Sequence, residues 1–205
     1  MKTNIRQRIM LTGSHASSHA MLHMAAFRFN TTTSDVNDYV RTIWETRAWS
    51  VEICYVMDGH IQAAAWSPCG TKGIFADSVH LILDCVGKSS STKASTVVAD
   101  FTETQSLTEE TERFGGLVQD LVWDSRGERL VVIFRTSDYV ALFRTRYSPT
   151  LSLFPCGVMK GELDEVATTI QFKPDFENGS LLTVGWSSGR IQHVPFYFLP
   201  QQLET

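Results

Sequence analysis

Several features that would classify a chain quickly are missing from these 205 residues. The longest apolar runs are five or six residues, far short of the roughly 20 that span a bilayer as a helix. No CxxC pair occurs. Cys54, Cys69, Cys85 and Cys156 lie 15, 16 and 71 residues apart, and a chain of this size needs no covalent staples. They read as reduced thiols of a cytosolic or nuclear protein. An excess of basic residues is also missing: the net charge is −4 and the pI about 5.8. That removes any general attraction to nucleic acid or to an anionic membrane. No segment carries a sustained helical pattern.

Acidic residues are missing from the first 34 positions, which hold Lys2, Arg6, Arg8 and Arg28 among Ser, Thr and His. A mitochondrial transit peptide has this balance, but no amphipathic pattern continues through Gly13 and the His-Ser cluster. Ile9-Met10-Leu11 is too short for a secretory core. Residues 1–38 are therefore left unassigned and expected to be a disordered N-terminal segment, with 199–205 a short tail.

What is present is a 43% apolar composition, enough for a buried core, and a repeat. Residues 118–134 read VQDLVWDSRGERLVVIF. Residues 61–76, IQAAAWSPCGTKGIFA, and 166–186, VATTIQFKPDFENGSLLTVGW, follow the same plan. Apolar residues run into an aromatic (Trp66, Trp123, Phe172). A polar turn follows, carrying Pro68 and Gly70, Gly127, or Pro174. Then comes a second apolar run. Proline suits the first corner of a turn, and glycine accepts the positive φ where it closes. The run Leu130-Val131-Val132-Ile133-Phe134 is continuous rather than alternating, so it should be covered on both faces. Antiparallel hairpins covered on both faces imply sheets packed on sheets, and repetition at 57 and 49 residues points to propeller blades.

Further strands fall where this plan needs them, at Val79–Leu83, Thr96–Ala99, Tyr139–Phe143 and Leu151–Phe154. Upstream, Val40–Glu45 resembles a third strand ending in Trp44-Glu45, and Trp49–Cys54 a fourth. Gly59-His60 precedes the first hairpin. Gly-His before a blade and Trp-Asp at its end mark WD40 repeats, here with Glu in place of Asp. Trp186 and Gly189 close the last repeat. Residues 102–116, TETQSLTEETERFGG, form a solvated loop joining two blades on this reading, and their Ser and Thr beside Glu are candidate phosphorylation positions. The expected fold is all-β: an incomplete WD40-type propeller over residues 39–198, with about three and a half four-stranded blades. Its first legible blade lacks two strands, so autonomous stability should be weak. The chain is expected to be part of a larger propeller or a short form.

Strings more specific than generic repeats carry a family resemblance over residues 40–198. They are Ala99–Thr104 followed by Glu112–Gly116; Val122–Leu130; Leu142–Pro149 leading to Leu153–Gly157; and Val184–Ile191 leading to His193–Phe198. In order and spacing they resemble the C-terminal half of the propeller in the aladin family of WD-repeat nucleoporins. That resemblance implies a non-catalytic scaffold of the nuclear pore complex, at the nuclear envelope, contributing to nucleocytoplasmic transport. It implies other nucleoporins as partners, a transmembrane nucleoporin among them. It implies no nucleic acid, membrane insertion, small-molecule substrate or cofactor. A generic cytosolic WD40 adaptor is the alternative.

Other constellations are weaker. His15, His19 and His23 are spaced for one helical face and could bind zinc, but no Cys or acid joins them. Gly87-Lys88-Ser89 lacks the glycine that a phosphate loop needs at position 82, which is Ile82. Asn30 and Asn178 fit glycosylation sequons, and Asn178-Gly179 is better explained as a hairpin tip. Asp120 and Asp124 flank Trp123 without a nearby His, which argues against a hydrolase.

Overall fold

A computed structural model describes residues 8–11, 23–29, 39–45, 50–56, 61–68, 72–85, 96–103, 105–106, 113–146 and 151–198. Among them there is no helix. Four antiparallel meanders follow one another. The first holds β1 (Arg8–Leu11), β2 (His23–Phe29), β3 (Tyr39–Glu45) and β4 (Ser50–Val56). The second holds β5 (Ala63–Trp66), β6 (Lys72–Ala76), β7 (His80–Cys85) and β8 (Thr96–Asp100). A two-stranded ladder of β9 (Gln105–Ser106) and β10 (Arg113–Phe114) intervenes. The third meander holds β11 (Val118–Trp123), β12 (Arg129–Phe134), β13 (Tyr139–Arg146) and β14 (Ser152–Lys160). The fourth has β15 (Ala167–Phe172), β16 (Gly179–Trp186) and β17 (Ile191–Tyr197).

Val40–Glu45 is a third strand, as its pattern predicts. The boundary at residue 39 needs correcting, however. Strands β1 and β2 lie upstream of it and supply the two missing strands, with Arg8 opposite Phe27 and Phe29 opposite Tyr39. Four apolar or long residues around Met10 are too few to announce a strand on their own. They become one by pairing with β2.

Turn chemistry sets the hairpins between first and second strands of the second and third sheets. The Ser67 hydroxyl accepts the Lys72 amide at 3.1 Å, and Ser67 N donates to the Lys72 carbonyl at 2.9 Å. Asp124 does the same work one blade later. Its Oδ1 accepts the amides of Glu128 at 2.7 Å and Arg129 at 2.9 Å. Gly127, at φ 72°, closes that turn, in a conformation that only glycine adopts cheaply.

The central strand β12 shows why the blades need each other. All five residues from Leu130 to Phe134 have no exposed surface. Leu130, Val132 and Phe134 pack with Ile74, Ala76, Leu81 and Leu83 of the second sheet. Val131 and Ile133 pack with Ile170, Phe172, Leu182, Val184 and Trp186 of the fourth. Each such side chain contributes about 1.5–3 kcal/mol when taken from water, and alternation divides the sum between two interfaces. Strand β11 accordingly lies against both β5 and β15.

The 102–116 segment is less of a free loop than its acids suggest. Phe101 and Phe114 are both buried and stack with Phe134 and Phe143, the nearest ring centroids 5.1 Å apart. Gly116 N donates to the Phe101 carbonyl at 3.1 Å. The base of the insertion is thus part of the core between the second and third sheets, because two aromatics bracket its polar tip.

Candidate functional site

Two ends of the blades carry polar constellations. The upper end holds the turns between second and third strands. Asp77, buried, accepts the amides of Val79 at 2.8 Å and His80 at 2.7 Å, and its Oδ2 meets His80 Nδ1 at 3.0 Å. His80 Nε2 lies 3.7 Å from Asp100. Hydrogen bonds from Thr102 hold the Asp100 carboxyl below its usual range, with the His80 ring a smaller cause.

Two sheets further, at the start of the fourth, Glu165 is buried and gripped from several sides. Arg190 donates to it through Nε at 3.1 Å and also through Nη2, Ser188 donates its hydroxyl, and Glu162 donates its amide at 2.9 Å. The Arg190 bond is the largest cause that lowers the Glu165 carboxyl from 4.5 to about 2; burial opposes it. The guanidinium of Arg190 also sits 5.0 Å from the Trp186 ring. A rigid turn results, with Asp164 at φ 63° and Leu163 displayed at its tip, 92% exposed.

The lower end holds the turns between first and second strands. Arg126 and Arg129 lie 5.6 and 4.9 Å from the Phe198 ring, and Arg144 lies 5.8 Å from Phe154. Asp124 faces inward here, and its Oδ2 accepts the buried Ser180 hydroxyl at 2.7 Å.

The repeat residues stand at equivalent places. Trp66, Trp123 and Phe172 each end a first strand. Pro68, Gly127 and Pro174 fall in the turns that follow. Trp186 ends β16, Gly189 turns at φ 90°, and Trp44 lies in β3. Gly59, His60 and Gly70 lie outside the described residues, as do His15, His19, Gly87-Lys88-Ser89 and Asn30. Asn178, at φ 58°, leads into β16 as a hairpin residue should. Asp120 does not join Asp124: it accepts its neighbour's amide, Leu121 N, at 2.8 Å. Among the described residues no group of three or more His, Cys, Asp or Glu is placed to hold a metal, and no helix is long and apolar enough to cross a membrane. Ser180, Arg190 and Phe198 went unrecognised as partners, since each acts across a sheet or a blade junction that no local pattern marks.

Successive antiparallel meanders, the second, third and fourth packed face on face, define the chain as a WD40-type β-propeller. Solved structures agree. The complex of KlAtg21 with the coiled-coil of AgAtg16 matches with a TM-score of 0.64 at 11% identity, over 95% of this chain and 54% of that one. The β-propeller domain of Myceliophteria thermophila Cps50 (Swd1) matches at 0.52 and 14%, over 90% and 54%. A luciferin-regenerating enzyme matches at 0.51 and 11%, over 79% and 50%. At such identities these likenesses speak of fold alone. No family model matches the chain. In sequence the chain is aladin-like: Aladin of Arabidopsis thaliana is 29% identical over 169 residues, covering 76% of this chain. The chain spans 36% of that relative's length.

Proposed function

We propose that the chain is a non-catalytic interaction scaffold of the nuclear pore complex, acting as part of an aladin-like propeller in nucleocytoplasmic transport. The observation that carries this reading is the sequence similarity to Aladin, which runs through three quarters of the chain rather than through one repeat. The architecture supports it. A stack of blades is a stiff body whose two ends and rim each offer a surface, while the turns vary without disturbing the core. The carboxylates of Asp77, Asp124 and Glu165 support it too, since they are engaged in holding turns and neighbouring blades. Partners on this reading are other nucleoporins, including one that spans the membrane and holds the propeller there.

The experiment is localisation of the tagged chain in cells, together with proximity labelling. Rim staining of the nucleus and labelling of nucleoporins are expected. A diffuse cytosolic signal with no nucleoporin labelled would favour a general WD40 adaptor instead.

A further inference from the structure

The lower end of the junction between third and fourth sheets carries an arrangement that the scaffold reading does not use. Arg129 and Arg144 are direct cross-strand partners on β12 and β13. Alternation places both on the face that carries Val131, Ile133, Val140 and Leu142, the face turned to the fourth sheet. Arg146, two residues on, shares that face. Arg126 joins them from the β11–β12 turn. Like charges directly opposite each other on a sheet repel, and among the described residues no carboxylate pairs with either guanidinium. Among the described residues none of these four arginines makes an ion pair. The one buried carboxylate nearby, Asp124, spends its oxygens on two amides and Ser180.

The guanidiniums are nevertheless held in place. Phe198, arriving from the end of β17, underlies Arg126 and Arg129, and Phe154 underlies Arg144. Such stacking fixes the planar groups; Arg129 Nη1 donates to the Glu128 carbonyl at 3.0 Å, and the other guanidinium N–H groups of these stacked arginines make no hydrogen bond among the described residues. Arg126, Arg144 and Arg146 are exposed, and Arg129 is half-buried. A protein of net charge −4 thus gathers four arginines at one blade junction, three of them stacked on aromatic rings and none ion-paired among the described residues.

We propose that this junction docks a phosphorylated segment of a partner polypeptide, with the phosphate bridging Arg129 and Arg144 and acidic flanks reaching Arg126 and Arg146. A dianionic phosphate offers enough acceptors to satisfy two facing guanidiniums in bidentate fashion, which a single carboxylate does not. A flat anionic membrane fits poorly, because exposed Glu128 shares the turn with Arg126 and Arg129. The proposal rests on the scaffold reading only for the class of partner. Its test does not depend on where the chain resides.

The test is fluorescence anisotropy with the full chain and three probes: a labelled acidic peptide carrying one phosphothreonine, the same peptide unphosphorylated, and phosphatidylserine-containing vesicles. The phosphopeptide is expected to bind about tenfold more tightly than its unphosphorylated form. Arg144→Gln should weaken it by about tenfold or more. Arg144→Lys should recover only part, since the charge returns without the fork. Arg135→Gln, at the other end of β12, should leave binding unchanged. Equal binding of the two peptides, tighter binding to vesicles, or no phosphopeptide binding at about 1 mM would each overturn the proposal. Thermal midpoints of all variants are read alongside. Arg144→Lys keeps the test valid should Arg144→Gln not fold.

Discussion

The hydroxyl of Ser180 donates to the carboxylate of Asp124 at 2.7 Å, across the junction of two blades and 56 residues of sequence, with both groups buried. The other oxygen of Asp124 holds its own turn through Glu128 N and Arg129 N. One side chain therefore shapes a hairpin and ties it to the next sheet. Ser180→Ala leaves a buried acceptor unmet and should cost about 1–3 kcal/mol. Asp124→Ala should cost more, because the turn loses its cap as well. In a double-mutant cycle read by urea unfolding, the two losses should be distinctly less than additive. Additive losses would mean that the junction does not depend on this bond.

Strand β12 offers a test of the two-faced core. Leu130 and Ile133 are both without exposed surface, yet Leu130 belongs to the cluster with the second sheet and Ile133 to the cluster with the fourth. Truncation of either to Ala should cost about 2–5 kcal/mol. The local consequences should separate. Hydrogen exchange should accelerate in β5–β7 for Leu130→Ala and in β15–β17 for Ile133→Ala. The same pattern for both would show that the sheets do not open independently.

The elements most legible in the sequence were those whose burial is written in contiguous residues. The five apolar residues of β12 and the aromatic-turn-apolar plan of the three hairpins predicted strands that the structure contains. Strand β14 extends beyond the predicted Leu151–Phe154 to Lys160, because a register shift between Leu142 and Phe143 keeps it paired along the whole of β13. Local composition around Pro155 and Gly157 hides that. Strands β1 and β2 were illegible for a related reason: β1 is defined by pairing with β2 and β2 by pairing with β3, not by a pattern of their own. Of the polar groups, Asp124 was weighed only as half of a carboxylate pair and set aside, and its turn-capping role went unread. Its partner Ser180 and the Glu165–Arg190 pair, 25 residues apart, are tertiary contacts that spacing does not encode.

The Glu165–Arg190 pair gives a pH dependence with a defined sign. Hydrogen bonds, that of Arg190 foremost, lower the Glu165 carboxyl from 4.5 to about 2 in the folded chain. A depressed folded value stabilises the fold above the unfolded pKa, and the contribution is lost as pH falls toward the folded one. The thermal midpoint of the native chain should therefore exceed that of Glu165→Gln by a constant margin at neutral pH. That margin should shrink between about pH 4.5 and pH 2. A margin independent of pH across that interval would mean that the carboxylate's charge is not what Arg190 holds.

Glycines 189 and 157 separate backbone strain from space. A Cβ at either would meet nothing within 4 Å, so packing is neutral at both. They differ in conformation: Gly189 sits at φ 90°, between Trp186 and the Arg190 that grips Glu165, while Gly157 lies in β14 without a positive φ. Gly189→Ala should cost about 1–2 kcal/mol, the usual penalty for forcing an L-residue into that region. Gly157→Ala should be neutral or stabilising by up to about 1 kcal/mol, since it narrows the unfolded ensemble. Because the strained turn also presents Arg190, Gly189→Ala should erode the pH-dependent margin of Glu165, and Gly157→Ala should leave it intact. Thermal unfolding at pH 7 and pH 3 measures both effects. Equal midpoints for the two alanine variants would show that the turn between β16 and β17 relaxes at no cost.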